Sequence, residues 1–325
     1  MELRQKVQFI EENIGKLAGN ILVTQSKPLR SPKMQKFFAR DFSRNEALGL
    51  LVTAAVLWSL GGLLIKLVDW HPVAIAGARS AIAALLFLAV LRKPALDWSP
   101  LLCTGAVSYA ATVIFFVSAT RLTTAANAIL LQFTAPIYVA VLASWLLKER
   151  TRPVDWAAII FVMAGMGLFF VDGFTAGNQL GNLLAICSGV SFALTVIFLR
   201  LQKNGATLEP LFLGNVFTAL VGLPFMTAPF PDVAGWAGLV ILGIFQLGIS
   251  YLLYATAVRH VTALEASLVP VVEPLLNPLW VFLALGETPG SWALAGGALV
   301  LLSVTGRVIL VSGRIPARGS ANTPY

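Results

Sequence analysis

Histidine and cysteine are almost absent from this sequence, with two of each in 325 residues, and charge is scarce at 12%. Cys103 and Cys187 both fall inside apolar runs, which argues against a disulfide framework or a zinc site and fits two small buried hydrophobes. His71 and His260 fall on opposite sides of the membrane in the topology derived below, so metal hydrolysis and histidine-based catalysis have no cluster to rest on. No glycine-rich phosphate-binding motif is present, which argues against an ATP-driven pump. No secretory signal is expected either, because the first apolar run starts too late and is too long. The net charge of +8 is not that of a nucleic-acid binder, because the basic residues lie in a tail and in short loops rather than on one face.

What the chain has instead is apolar length. Hydrophobic residues make up 58% of it, against about 45–50% in an ordinary soluble domain. Cutting at the polar breaks gives spans at 48–68, 72–91, 101–119, 123–147, 154–171, 180–199, 211–228, 234–257, 262–285 and 291–311. Each is long enough to cross a hydrocarbon core of about 30 Å. The expected fold is therefore all-α: a polytopic membrane protein of ten transmembrane helices. With the N-terminus in the cytoplasm, 20 of the 23 Lys and Arg fall inside and only Arg121 falls in an outside loop. Both termini are expected to be cytoplasmic. Residues 1–47 form a basic tail in which Val7, Ile10, Ile14, Leu17 and Ile21 recur at helical spacing. That stretch reads either as an amphipathic helix on the inner leaflet or as a loosely ordered tail. Residues 312–325 are the C-terminal tail.

The second half of the chain copies the first. At a constant offset of 138, residues 121–149 align with 259–287: Arg121 meets Arg259, Thr124 meets Thr262, Pro136 meets Pro274 and Glu149 meets Glu287. The same offset pairs Ser108 with Gln246, Thr112 with Ser250 and Phe116 with Tyr254. An offset of 132 pairs the first span with the sixth. Each copy (48–171 and 172–311) holds five spans, so the second must enter the membrane inverted. Inverted repeats recur in secondary transporters, with the substrate site near the midplane between the copies.

Two five-span halves, each with a proline-bearing fourth span that ends in a Glu before a polar turn, resemble the EamA-type branch of the drug/metabolite transporter superfamily. The stretches that carry the likeness are LLQFTAPIYVAVLASWLLKER, SLVPVVEPLLNPLWVFLALGE, WSLGGLLIKL and HPVAIAGARSAIAALLF. The first copy departs at Lys148, where the family has a small residue. The resemblance implies a basket around a central cavity lined by spans one to four and six to nine. It also implies alternating access by rocking of one half on the other, and small metabolites as cargo.

Glu273 lies about eleven residues into span nine, near the bilayer centre. A carboxyl there costs about 2.5–3.5 kcal/mol on insertion scales, which makes it a proton-coupling candidate; the alternative is a structural acid. Asn277 and Trp280 share its helical face. Pro270, Pro274 and Pro278 remove donors and free the carbonyls of Ala266, Pro270 and Pro274, so a kinked span facing a polar cavity is expected. Pro136 predicts a milder kink in span four beside Gln132 and Tyr138. Arg79 can snorkel outward, pair with Glu273, or bind a substrate carboxylate. Glu265 is expected to pair with Arg259 at the interface. Gln246, Ser250 and Tyr254 step by four along span eight, as Ser108, Thr112 and Phe116 do in span three. Trp58 completes the set, although Ser and Thr in membrane helices also serve packing alone.

The function expected is a secondary transporter in a bacterial cytoplasmic (inner) membrane, exporting small metabolites such as amino acids. It would be driven by proton exchange at Glu273 or would work by facilitated diffusion. A drug, nucleoside or vitamin transporter of the same fold is the close alternative, and a membrane enzyme the distant one. The aromatics Trp58, Phe116, Tyr138, Tyr254 and Trp280 lean toward aromatic amino acids, nucleobases or flavin-like cargo. Partners are the substrate, protons and the lipid bilayer, with no metal, cofactor or nucleic acid; a homodimer is left open.

Overall fold

The computed structural model describes residues 40–169, 171, 178–202, 207–276 and 290–312. Among these residues the chain is entirely helical apart from turns and connections. We number the helical segments α1 (Arg44–Leu67), α2 (Pro72–Leu91), α3 (Pro100–Leu122), α4 (Ala125–Gln132, Ala135–Leu142 and a π turn at Ala143–Leu147), α5 (Pro153–Phe169) and α6 (Gln179–Leu201). They continue as α7 (Leu208–Phe225), α8 (Val233–Ala257), α9 (Ala263–Leu268, continued by a 3₁₀ turn at Val269–Val272) and α10 (Ser291–Ser312). Eight helices among the described residues are long and apolar enough to cross a membrane; α5, at 17 residues, is shorter. Residues 1–39 of the basic tail, Asn277, Pro278, Trp280 and residues 313–325 lie outside the described residues.

The helix starts follow from local chemistry. Ser43 caps α1 and Glu46 returns to the Ser43 amide, a reciprocal pair that Thr262 and Glu265 repeat at α9. Ser99, Thr124, Asn178 and Asp232 each accept from an amide of the following turn. Pro72 and Pro100 sit in the first turn of α2 and α3, where the missing N–H costs nothing.

Packing holds the helices around a shared interior. The α6 helix runs along α3, α7 packs against α2 and α3, α8 touches α1 and α2, and α10 lies on α5. Several contacts bring backbone against backbone. A Cβ at Gly77 of α2 would meet the Cα of Gly222 of α7 at 2.7 Å, and one at Gly165 of α5 would meet the Gly296 carbonyl oxygen of α10 at 2.9 Å. Small residues of this kind let membrane helices approach closely where no hydrophobic force drives them together.

The two ends of the bundle differ. At the end holding the starts of α1, α5 and α9, Glu265 pairs with Arg44 and with Arg307 (3.0 Å), and Arg307 donates to Asp155 (2.9 Å). Beside this chain, Arg200 pairs with Glu149, whose other oxygen accepts from the Ala263 amide (2.9 Å). The partner expected for Glu265, Arg259, is therefore replaced by two arginines that only the tertiary fold brings near. At the opposite end Thr123, Asn127 and Asn182 share neutral hydrogen bonds, and the Lys66 ammonium donates to the Thr123 carbonyl (3.3 Å).

Candidate functional site

Proline chemistry builds the site. Pro270 cannot continue the α ladder, so α9 tightens into the 3₁₀ turn at 269–272, and the Glu273 amide donates to the Pro270 carbonyl. The Ala266 carbonyl, which Pro270 deprives of its helical donor, accepts instead from the Tyr254 hydroxyl at 3.0 Å. In α4, Pro136 coincides with a break at Phe133 and Thr134. The Gln132 carbonyl lies against Gly189 of α6, where an added Cβ would come within 2.8 Å of it. The α1 helix also breaks at Ser59 and Leu60, between Trp58 and Gly61.

These breaks surround a cavity of about 510 Å³, the open space at its mouth included. Its polar lining is Arg79, Gln246, Thr112, Gln132 and Glu273; Trp58, Phe116, Phe133, Phe192, Tyr251, Val113, Leu247 and Pro270 complete the wall. The residues contributed by α1, α3, α6 and α8 lie near the middles of their helices. Arg79 is 1% exposed and donates from Nη1 to Gln246 Oε1 at 2.9 Å, while its Nε–H has no acceptor among the described residues. It therefore does not snorkel, and no ion pair joins it to Glu273. Glu273 is buried, and its carboxyl makes no hydrogen bond to another described residue. The aromatic wall is contiguous: the Trp58 ring lies 4.9 Å from Tyr251 and 6.1 Å from Phe192, and Tyr251 meets Tyr109 edge-on at 4.8 Å.

A seam of polar groups supports the α3 and α6 side. Gln132 Nε2 donates to Ser188 Oγ (3.0 Å), which donates to the Thr112 carbonyl (3.0 Å). The Thr112 hydroxyl bonds to the Ser108 carbonyl (2.8 Å) and faces Thr195.

Among the expected residues, Trp58, Arg79, Thr112, Phe116, Gln132, Gln246 and Glu273 meet at the cavity. Three others do not. The Ser250 hydroxyl turns back on the Gln246 carbonyl of its own helix, and Tyr254 is occupied by Ala266. Tyr138 packs half-buried against the core because the break at Phe133 re-aims α4, leaving Gln132 and Phe133 on the cavity. Asn277, Trp280 and Pro278 fall outside the described residues, and Pro274 lies in the helical turn just after Glu273. Sequence reasoning missed Tyr251, Phe192 and Phe133. The π turn at Leu242–Ile249, with its i→i+5 hydrogen bonds, underwinds α8 there, and Tyr251 rather than Ser250 joins Gln246 on the cavity. No group of three or more metal-ligating side chains is gathered among the described residues.

A buried guanidinium and a buried carboxyl facing one cavity with aromatic walls can hold a small molecule carrying both charges. Comparison with known proteins places the architecture. A solved crystal structure superposes with a TM-score of 0.71 at 21% identity, covering 84% of this chain and all of that one, which shows the fold. An uncharacterized transporter of Archaeoglobus fulgidus is 26% identical over 58% of this chain and 69% of its own length. An uncharacterized protein of Pseudomonas aeruginosa is 28% identical over 68% of this chain and 82% of its own length. A protein of Streptantibioticus cattleyicolor described as a "probable terminal-alkyne amino-acid exporter" is 28% identical over 62% of this chain and 68% of its own length. The profile of EamA-like transporters matches twice, at residues 46–171 and 179–308. With two tandem matches, membrane-crossing helices and a central cavity, the chain belongs to the EamA-like transporter family.

Proposed function

We propose that the protein is a secondary transporter of the bacterial cytoplasmic membrane that exports amino acids or similar amphipathic metabolites by alternating access. Its spans would be ten, arranged as two inverted copies of five, with both termini in the cytoplasm. The observation that carries the reading is the central cavity, in which Arg79 and Glu273 face common space beside Trp58, Tyr251, Phe116 and Phe192. A guanidinium suits a carboxylate, a carboxyl suits an ammonium, and aromatic faces suit an apolar side chain. The amino-acid exporter among the relatives supports the same cargo class. The inverted arrangement is supported by the opposite placement of α4 and α9: the first turn of α4 bonds to Asn182 at the start of α6, and that of α9 to Glu149, which pairs with Arg200 at its end.

Glu273 is the residue we assign to proton coupling. A buried carboxyl lacking a fixed cation can alternate between holding a proton and holding the substrate ammonium. The test uses purified protein in liposomes with a trapped pH dye, an amino-acid, nucleoside and vitamin panel, and wild type beside Glu273→Gln. Substrate-dependent proton movement in wild type is expected to vanish in the variant while uncoupled substrate uptake persists. Uptake without proton movement in either protein would instead make this a facilitator, with Glu273 shaping the cavity.

A further inference from the structure

Arg79 can read a substrate carboxylate only if its fork is held facing the cavity and its charge is left unspent. Three helices arrange both. In α8 the π turn at Leu242–Ile249 widens the helix around Gln246. Gly243 and Gly248 bring this turn onto α2: a Cβ at Gly243 would meet Ile82 Cβ at 2.6 Å and the Arg79 carbonyl at 2.9 Å, and one at Gly248 would meet Leu86 Cδ2 at 2.5 Å. In α1 the break after Trp58 leaves Gly61 facing the amide, where a Cβ would stand 2.8 Å from Gln246 Nε2. The Gln246 amide thus sits over Gly61 at its nitrogen end and accepts from Arg79 Nη1 at its oxygen end.

We infer that Gln246 is a positioning residue that aims Arg79 at a substrate carboxylate, and that Gly61 is the seat holding Gln246 in place. The inference rests on the zwitterion reading above and adds the source of its carboxylate selectivity. A carboxylate at position 246 would also orient Arg79, but it would neutralise it and compete with the substrate. A neutral acceptor fixes one N–H and leaves the charge and the other donors for the ligand. The Arg79 Nε–H, buried without an acceptor among the described residues, is the group such a ligand would satisfy.

The experiment titrates purified protein with L-phenylalanine and with its carboxamide, L-phenylalaninamide, following tryptophan fluorescence, to which Trp58 in the cavity wall contributes. The readout is the ratio of the two affinities, which a general loss of packing would not change. Wild type is expected to favour the free acid. In Gln246→Glu that preference is expected to fall by about tenfold or more, through weaker acid binding at nearly constant amide binding. Gly61→Ala, which adds no group to the cavity, is expected to reduce the same ratio by about two- to fivefold, and it serves if the Gln246 variant does not fold. A wild type without preference for the acid would overturn the zwitterion reading and this inference with it. A wild-type preference that survives unchanged in either folded variant would overturn the role of Gln246 and Gly61 alone.

Discussion

The first turns of α4 and α9 stand at equivalent positions of the repeat, and they are built alike up to one residue. Thr124 caps the first and accepts from the Asn127 amide at 3.1 Å; Thr262 caps the second and accepts from the Glu265 amide at 3.2 Å. The 138-residue offset that pairs the two threonines also pairs Asn127 with Glu265. At one end of the bundle the amide joins a neutral cluster with Thr123 and Asn182. At the other the carboxylate gathers Arg44 and Arg307, and through Arg307 reaches Asp155. A single exchange of amide for carboxylate thus separates an end tied by dipoles from an end tied by buried charge. Such charges are costly to unpair, so the charged end is the harder of the two to open.

The strongest way to break this contrast is Glu265→Ala, which leaves Arg44 and Arg307 without their shared partner. A loss of about 3–5 kcal/mol is expected, read as a large drop in the melting temperature of detergent-solubilised protein. Asn127→Ala at the opposite end is expected to cost about 1–2 kcal/mol, so the ordering of the two variants tests the contrast directly. A further asymmetry concerns pH. His260, at the charged end beside Phe42, is held below the usual histidine range by its burial and then by the neighbouring Arg259. An unfolded chain therefore binds the proton first, so His260 adds to stability loss as pH falls below about 6.5. His260→Gln is expected to flatten melting temperature between pH 8 and pH 5.5 by a small amount. Least of all, Arg121→Ala removes a 3.5 Å pair with the fully exposed Asp69, and no measurable change in melting temperature is expected.

Much of this was written in the residues. Apolar length marked the helices, and the constant offset marked the two copies that the family profile matches separately. Residue type and depth in the span were enough to bring Arg79, Gln246, Thr112, Gln132, Phe116, Trp58 and Glu273 to one place. The errors share a cause: a strict α-helical period was carried through segments that do not keep it. The π turn moved the cavity face of α8 from Ser250 to Tyr251, and the break at Phe133 turned Tyr138 away. Proline correctly announced a free carbonyl at Ala266, but not that a phenol 12 residues upstream would satisfy it. The partners of Glu265 were beyond local reading, because Arg44 lies 221 positions away and only the packing of α1 on α9 brings it close.

The glycine contacts between α2 and α7 and between α5 and α10 have a mechanical meaning. Each joins one helix from the first copy to one from the second, at a point where backbone meets backbone. Knobs seated in holes must be lifted out before two surfaces can shift, whereas a surface without knobs behaves as a plain bearing. If one half rocks against the other, Gly77–Gly222 and Gly165–Gly296 are where it turns with least friction, and a single methyl group there would act as grit.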